Sequence, residues 1–530
     1  MRKLLYILTT LFVLTGIDNA AATPRIAVNI IINGMQAVDL ERYSNNFGEG
    51  GFRRIISGGT VCTECYTDFT PTSQAMALST LATGTLPSMH GIVSTQWYDR
   101  NHDNAPCYLA RHNAPCDDTA HNGINSGYDS SHFTAETLAQ AVTASHPKSR
   151  AITIAQTSQS ALALTGSSGE CYWIDNNGRW ATASCYASSL PSWVNGYNLV
   201  GMNRIFALGT WFGKYGKSRY HNDSATVVMV YDSAAAQQAN KASLSNWVDE
   251  LRYTPAGNGA TFEFAKRCID QLLDAKESEG CRLLNICLDT PCNIVERYGT
   301  NSVEYEDMLY CLDTTLAEFF EHLYSKSSPE NVLVTLTAAR GTLPTQKQQT
   351  TEQFNSRKML VILNAFLSAR YGQGNWVLGY HNKAIYLNRN LIYKHKLSVG
   401  EIQTEAATFV MQMRGIANAT AGTSLQNGQS ANAVQRLMQN AFNARTSGDI
   451  IVALLPRTID DTDNNRLSTG GSPYNYDRHV PLVFYCGGSS MVRHSQMVST
   501  TSIAATTAVW LQIERPMCCD GTVIDLNRKK

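Results

Sequence analysis

The alternation of short apolar runs with helical patterns constrains this chain most. RIAVNIII (Arg25–Ile32), RLLNICL (Arg282–Leu288) and NVLVTLTA (Asn331–Ala338) are brief and almost continuously apolar. Such runs suit strands buried on both faces, because a solvated face would bring in alternating polar residues. Ala151–Ala155, Asp449–Leu455 and Val480–Tyr485 are further candidate strands. Apolar residues repeat at helical spacing over Gln74–Leu81, His132–Ala144, Phe262–Lys276, Ser302–Ser325 and Ser499–Gln512. The clearest is Ser302–Ser325, where Val303, Met308, Leu312, Leu316 and Phe319-Phe320 form one stripe. This order predicts an α/β fold: a mostly parallel central sheet with helices on both faces.

Three segments interrupt the pattern. About 101–128 is rich in His, Asn and Asp and reads as a loop; about 166–253 holds much of the aromatic content; about 346–445 combines a strand pair with an amphipathic helix, Val399–Arg414. Asn418–Ala433 is polar and reads as a mobile loop. The 530 residues suggest several domains by length alone, but a large sheet with insertions absorbs this much chain. The expected organisation is a removable leader over residues 1–22 and one domain over 23–530. Arg2-Lys3, the apolar Leu4–Ile17 and Ala20-Ala21-Ala22 have the order of an export signal. No later segment is long and apolar enough to span a bilayer, so an exported protein in the periplasm, at the cell surface or outside the cell is expected.

Lys+Arg and Asp+Glu both number 43, which leaves no basic excess for a nucleic-acid partner. Fourteen cysteines fit an oxidising compartment. Cys107 and Cys116 flank a short polar loop, and Cys171 and Cys185 flank the hairpin-turn signal Asn176-Asn177-Gly178, so both pairs are disulfide candidates. Cys62 and Cys65 form a CxxC without a second CxxC, which reads as a structural bridge or two buried thiols.

Sites in open parallel sheets form at the carboxyl ends of strands. Three such ends carry Asn33, Asp289 and Ala339-Arg340. Around them run the patches RIAVNIIINGM, YSNNFGEGGFRRIISGGTV, TPTSQAMALSTLATGTLPSMHGIVSTQWYDR, YGTNSVEYEDMLYCLD, SGDIIVALLPR and GGSPYNYDRHVPLVFY. Long, ordered and collinear, they resemble the alkaline phosphatase superfamily, and within it the PafA-like enzymes akin to type I phosphodiesterases. The resemblance implies two zinc ions held by three Asp and three His, with a Thr or Ser nucleophile at a helix start. It places Asn33, Asp289, Asn293, Ala339, Arg340 and Gly470 at the six ligand positions and Gln74 at the nucleophile. Thr157, Gln159 and Thr95 fall where the family binds substrate phosphate. Only Asp289 is retained.

One carboxylate cannot hold zinc where stable sites use three or four protein ligands, and an amide cannot form a phosphoryl ester. Arg340 would put a fixed positive charge where a cation should bind, so the two exclude each other. Arg340 instead suits a small anion, through bidentate pairing, or an ion pair with Asp289 that plugs the cavity. No intact catalytic residue and no cofactor are expected. The function expected is an inactive phosphatase-like protein that binds a protein partner or a small anionic ligand. The alternative is a metal-dependent phosphomonoesterase or phosphodiesterase with a rearranged site and two zinc ions.

Other residues admit a bland reading. Ser73 is one residue from the nucleophile position, but the patch is ungapped. His90 and His479 lie outside the family's metal set and read as structural. His102-Asp103, Asp117-Asp118 with His121, and Asp460, Asp461 and Asp463 read as metal sites or as solvated loops. Gly58-Gly59-Thr60 lacks the Lys-Ser/Thr of a phosphate loop and reads as a turn.

Overall fold

The computed structural model describes residues 25–526 except 101–104, 110, 113–122, 126–127, 129–130, 207–210, 222–227, 230–247, 274–278, 346–351, 429 and 464–465. The expected leader lies outside the described residues. So do the side chain of Cys107, all of Cys116, and the loop candidates His102, Asp103, Asp117, Asp118 and His121.

Ten strands form the main sheet: β1 Ile26–Ile32, β2 Gly59–Cys62, β3 Ile124–Asn125, β4 Arg150–Ala155, β5 Glu170–Ile174, β6 Trp180–Ala183, β7 Arg282–Leu288, β8 Val332–Thr337, β9 Leu482–Cys486 and β10 Val492–His494. Their spatial order is β10-β2-β9-β8-β1-β7-β4-β5-β6-β3. The five central strands, β8, β1, β7, β4 and β5, run parallel. Every residue of β1, β7 and β8 is buried, which is why these strands read as continuous apolar runs. Their register aligns the carboxyl ends. Ile32 lies opposite Leu288, Ile31 opposite both Cys287 and Thr337, and Cys287 opposite Ala155. The next residue or two of each strand therefore meet at one rim.

Helices α1 Gln74–Thr83, α2 Ser158–Thr165, α3 Thr290–Tyr298 and α4 Val303–Lys326 flank the sheet. Ser73, Thr157 and Ser302 cap α1, α2 and α4 by accepting backbone N–H bonds in the first turn. On α4, the stripe Met308, Leu312, Leu316, Phe319 and Phe320 is buried as its spacing predicts. Residues His132–Thr137 stay outside the helix expected there. Its start is set at Leu138 by a capping box of Thr137 and Gln140.

Several expectations are corrected. Asp449–Leu455 is not a strand of the main sheet. Ile450–Leu454 is central to a separate antiparallel sheet with Val377–His381, Ala384–Leu387 and Ile416–Ala421. A short apolar run buried on both faces has the same pattern in either sheet. β9 is antiparallel to β8. Most of Asn418–Ala433 is ordered rather than loop: it holds the end of the strand Ile416–Ala421 and the helix Gly422–Gln426, because pairing with Ile450–Leu454 outweighs its polar composition. Gly58 ends the helix Phe52–Gly58, and Gly59-Thr60 open β2 instead of forming a free turn. The 166–253 segment contributes β5 and β6 to the main sheet. Trp173 and Trp180 are fully buried there, and Trp180 stacks on Phe264 at 4.0 Å, so these aromatics are core.

The second sheet is fastened to the rest through a buried carboxylate. Asp449 accepts from the Leu387 backbone N–H at 2.8 Å, Arg389 Nε at 2.8 Å and Gln403 Nε2 at 2.7 Å, and Arg100 approaches to 3.6 Å. Removing one partner of a buried charge cluster strands the others. Asp449→Ala is therefore expected to lower unfolding stability by about 3 kcal/mol, read as a shift in the denaturant midpoint. A loss below about 0.5 kcal/mol would show that the cluster carries no such weight.

Candidate functional site

The rim gathers Asn33 after β1, Gln156 and Thr157 after β4, Asp289 after β7 and Ala339-Arg340 beyond β8. Asp289 is 3% exposed and carries the one carboxylate that the family pattern retains. Its Oδ1 accepts from Asn33 Nδ2 at 2.8 Å, Gln74 Nε2 at 2.5 Å and Ser160 Oγ at 2.9 Å, and its Oδ2 from Thr157 Oγ1 at 2.9 Å. Gln156 Oε1 holds the start of α3 by accepting from Asp289 N, Thr290 N and Thr290 Oγ1. Burial pushes the Asp289 carboxyl above the usual range, opposed by the bonds from Thr157, Ser160 and Asn33 and by the Arg252 charge. Four neutral donors from β1, α1 and the start of α2 thus surround the charge that a cation would otherwise meet.

Arg340 does not pair with Asp289. Its Nη2 donates to Glu296 Oε1 on α3 at 3.3 Å and lies 3.7 Å from Cys292 Sγ. Arg466 reaches the same Glu296 oxygen at 3.3 Å. The distinction is geometric: Glu296 stands two helical turns beyond Asp289 on α3, beside the chain that leaves β8. The guanidinium also occupies the space of a side chain at 470. A Cβ on Gly470 would lie 1.7 Å from Arg340 Nη1 and 2.8 Å from the Gly341 carbonyl oxygen. Asn293 turns away, its Nδ2 donating to the Arg252 carbonyl at 3.2 Å.

These residues do not fit a two-zinc centre. Ala339 and Gly470 offer no donor, and Arg340 offers a cation. The amides of Asn33 and Gln74 point N–H groups at the Asp289 carboxylate. Among the described residues no group of three or more His, Cys, Asp or Glu is placed to hold a metal ion.

The remaining candidates separate clearly. Thr157 joins the Asp289 cluster; Gln159 and Thr95 are not among its donors. Ser73 accepts from Met76 N as the cap of α1. His90 is fully buried against Thr80 Oγ1 at 3.0 Å, and burial pushes its pKa down to about 3, so it is a neutral structural residue. His479 donates from Nε2 to the Thr63 carbonyl and stacks on Tyr66. Asp460 pairs with Lys383 at 3.0 Å, and Asp461 accepts from Ser356 N at 2.8 Å. Sequence reasoning missed Ser160, Gln156 and Glu296. Ser160 had a signal, lying three residues after the helix-capping Thr157 that follows a strand. Glu296 had none, because its partner comes from residues 44 positions away.

A profile of the type I phosphodiesterase / nucleotide pyrophosphatase family matches residues 27–458. The chain belongs to this family, within the alkaline phosphatase superfamily. It is 24% identical over 526 residues to alkaline phosphatase PafA of Elizabethkingia meningoseptica, covering 96% of this chain and 95% of that one. It is also 24% identical over 523 residues to alkaline phosphatase PhoV of Synechococcus elongatus, covering 95% and 92%. The crystal structure of wild-type PafA superposes with a TM-score of 0.84 at 23% identity, covering 96% of this chain and 99% of that one. Murine ectonucleotide pyrophosphatase / phosphodiesterase 5 superposes with a TM-score of 0.54 at 13% identity, covering 94% and 97%.

Two measurements test this geometry. Gly470→Ala is expected to destabilise the fold by roughly 1–3 kcal/mol through overpacking. In an Arg340→Ala background that loss should shrink, leaving a coupling of at least about 0.5 kcal/mol in a double-mutant cycle. Strict additivity would show that the guanidinium does not fill that space. The second concerns Asp477, whose Oδ2 accepts from Ser472 N at 2.7 Å while the buried Oδ1 has no partner. Burial raises its carboxyl to about 7, opposed by Ser472, Arg340 and Lys383. Between the ordinary value of 3.8 and about 7, the native chain binds a proton that the unfolded chain has released. Stability therefore falls as pH rises through that window, with a slope contribution of up to about 1.4 kcal/mol per pH unit. Asp477→Asn should remove that contribution from urea-unfolding profiles. An unchanged slope would refute the assignment.

Proposed function

We propose that this protein is a catalytically silent member of its family that acts by binding. The observation that carries this is the state of Asp289: the retained carboxylate already accepts two amide and two hydroxyl bonds, one from Gln74 at the nucleophile position. A zinc ion would have to displace those donors and bind without the charge of further carboxylates or imidazoles. Gln74 has no hydroxyl to carry a phosphoryl group. Export into the periplasm or beyond is part of the same proposal and rests on the leader-like first residues.

A small anion at the rim is the favoured ligand, with a protein partner as the other form of the role. Arg340 and Arg466 meet one carboxylate, Glu296, and the neighbouring Asp477 holds its proton up to about pH 7. A guanidinium suits phosphate, sulfate or carboxylate geometry.

Metal analysis of the purified chain, paired with an aryl phosphate hydrolysis assay in zinc-supplemented buffer, tests the silence. Zinc below one equivalent is expected, with hydrolysis at the buffer background and unchanged by Asp289→Ala. Two equivalents of zinc, or turnover abolished by Asp289→Ala, would establish the alternative, a metal-dependent phosphoesterase with a rearranged site. Calorimetric titration with inorganic phosphate and phenyl phosphate tests the ligand. Heat in the wild type and its loss in Arg340→Ala are expected. Absence of heat in both leaves only a protein partner.

A further inference from the structure

We infer that Cys171 and Cys185 form an intramolecular disulfide that ties the outer hairpin of the main sheet to the turn following it. β5 and β6 pair antiparallel, with Ile174 opposite Trp180 and Trp173 opposite Ala181. Continuing that register by two residues sets Cys171 opposite Ala183. Cys185 follows Ala183 by two residues, in the turn just after β6. The chain turns at this point: Tyr186 N and Ala187 N both donate to the Ala183 carbonyl, at 3.0 and 3.1 Å. The turn is anchored on the Cys171 side, because the Tyr186 hydroxyl donates to the carbonyl of Gly166, on the chain leading into β5.

The Cys171 thiol is in electrostatic contact with Cys185 and hydrogen-bonds Thr165 and Tyr186. The two sulfurs are not bonded in this structure; a bridge needs Cβ atoms about 4 Å apart. The Cys62–Cys65 pair offers less, since both of its thiols are buried, whereas Cys185 is exposed to an oxidant.

The oxidant is an external disulfide, RSSR. The Cys185 thiolate attacks one of its sulfurs, an S–S bond forms, and RS⁻ leaves. Cys171 then releases its proton to water and its sulfur attacks Cys185 Sγ, expelling the second RS⁻. The protein loses two electrons and two protons, and RSSR becomes two RSH. Burial pushes the Cys171 thiol up to about 12, so the second step is the slow one and quickens at alkaline pH.

The experiment uses the purified full chain and oxidised glutathione, followed by alkylation in denaturant and peptide mass spectrometry. A cross-link between the Cys171 and Cys185 peptides is expected, lost after reduction, with these two thiols missing from the alkylated set. In Cys171→Ser a glutathione adduct should persist on Cys185. Amide hydrogen exchange over 180–187 should slow on oxidation in the wild type and not in Cys185→Ser. Alkylation of both Cys171 and Cys185 after oxidation at alkaline pH would overturn the inference, as would Cys185 bridged to any other cysteine.

Discussion

A buried carboxylate at the end of a parallel sheet must be neutralised or solvated by something, and Asp289 is where the rest of this site is decided. The in-register ends of β1, β7 and β4 bring Asn33, Asp289 and Thr157 together regardless of what they coordinate. With no further carboxylate or imidazole alongside, the local chemistry is that of hydrogen bonding to an anion. Two amides and two hydroxyls supply it, and such bonds favour the charged form over the protonated one. They also tie the starts of α1 and α2 to the end of β7, since Gln74 opens the first helix and Thr157 and Ser160 lie at the start of the second. The rim is a polar joint between elements.

On the other side of the rim, a small residue and a large one are complementary. Arg340 can lie where it does because Gly470 carries no side chain, and Gly470 is left without contacts a larger residue would make because Arg340 is there. Glu296 completes the pair by offering a carboxylate to the guanidinium at a depth where an uncompensated charge would be costly. Arg340 and Gly470 are therefore one unit in physical terms. Asn293, by contrast, is independent of them, engaged with the Arg252 carbonyl.

The sequence made the central sheet legible because β1, β7 and β8 are short, apolar and buried on both faces, a pattern few other structures demand. The sequence also shows that Ala339 and Gly470 carry no donor side chain and that Gln74 carries no hydroxyl. What could not be read were relations across space. The apolar IIVAL run at Ile450–Leu454 does not declare which sheet it joins. Asp289 and Glu296 lie about two helical turns apart at and along α3, and only the path of the chain after β8 selects Glu296 over Asp289 for Arg340. Ser160 looked like an ordinary helix residue, although its place three positions after a capping threonine puts its hydroxyl at the helix mouth.

The scaffold is organised around apolar rows rather than around the rim. The apolar rows of β1, β7 and β8 and the α4 stripe lie entirely within the core, and the strand register that assembles the rim is set by those rows rather than by any ligand. The fold can therefore hold its shape while the rim residues change. Around Asp289 the rim is closed by side chains that bond one another. Arg466, with its side chain 47% exposed beside the nearly buried Arg340–Glu296 pair, marks the place where inward-facing chemistry gives way to an accessible charge.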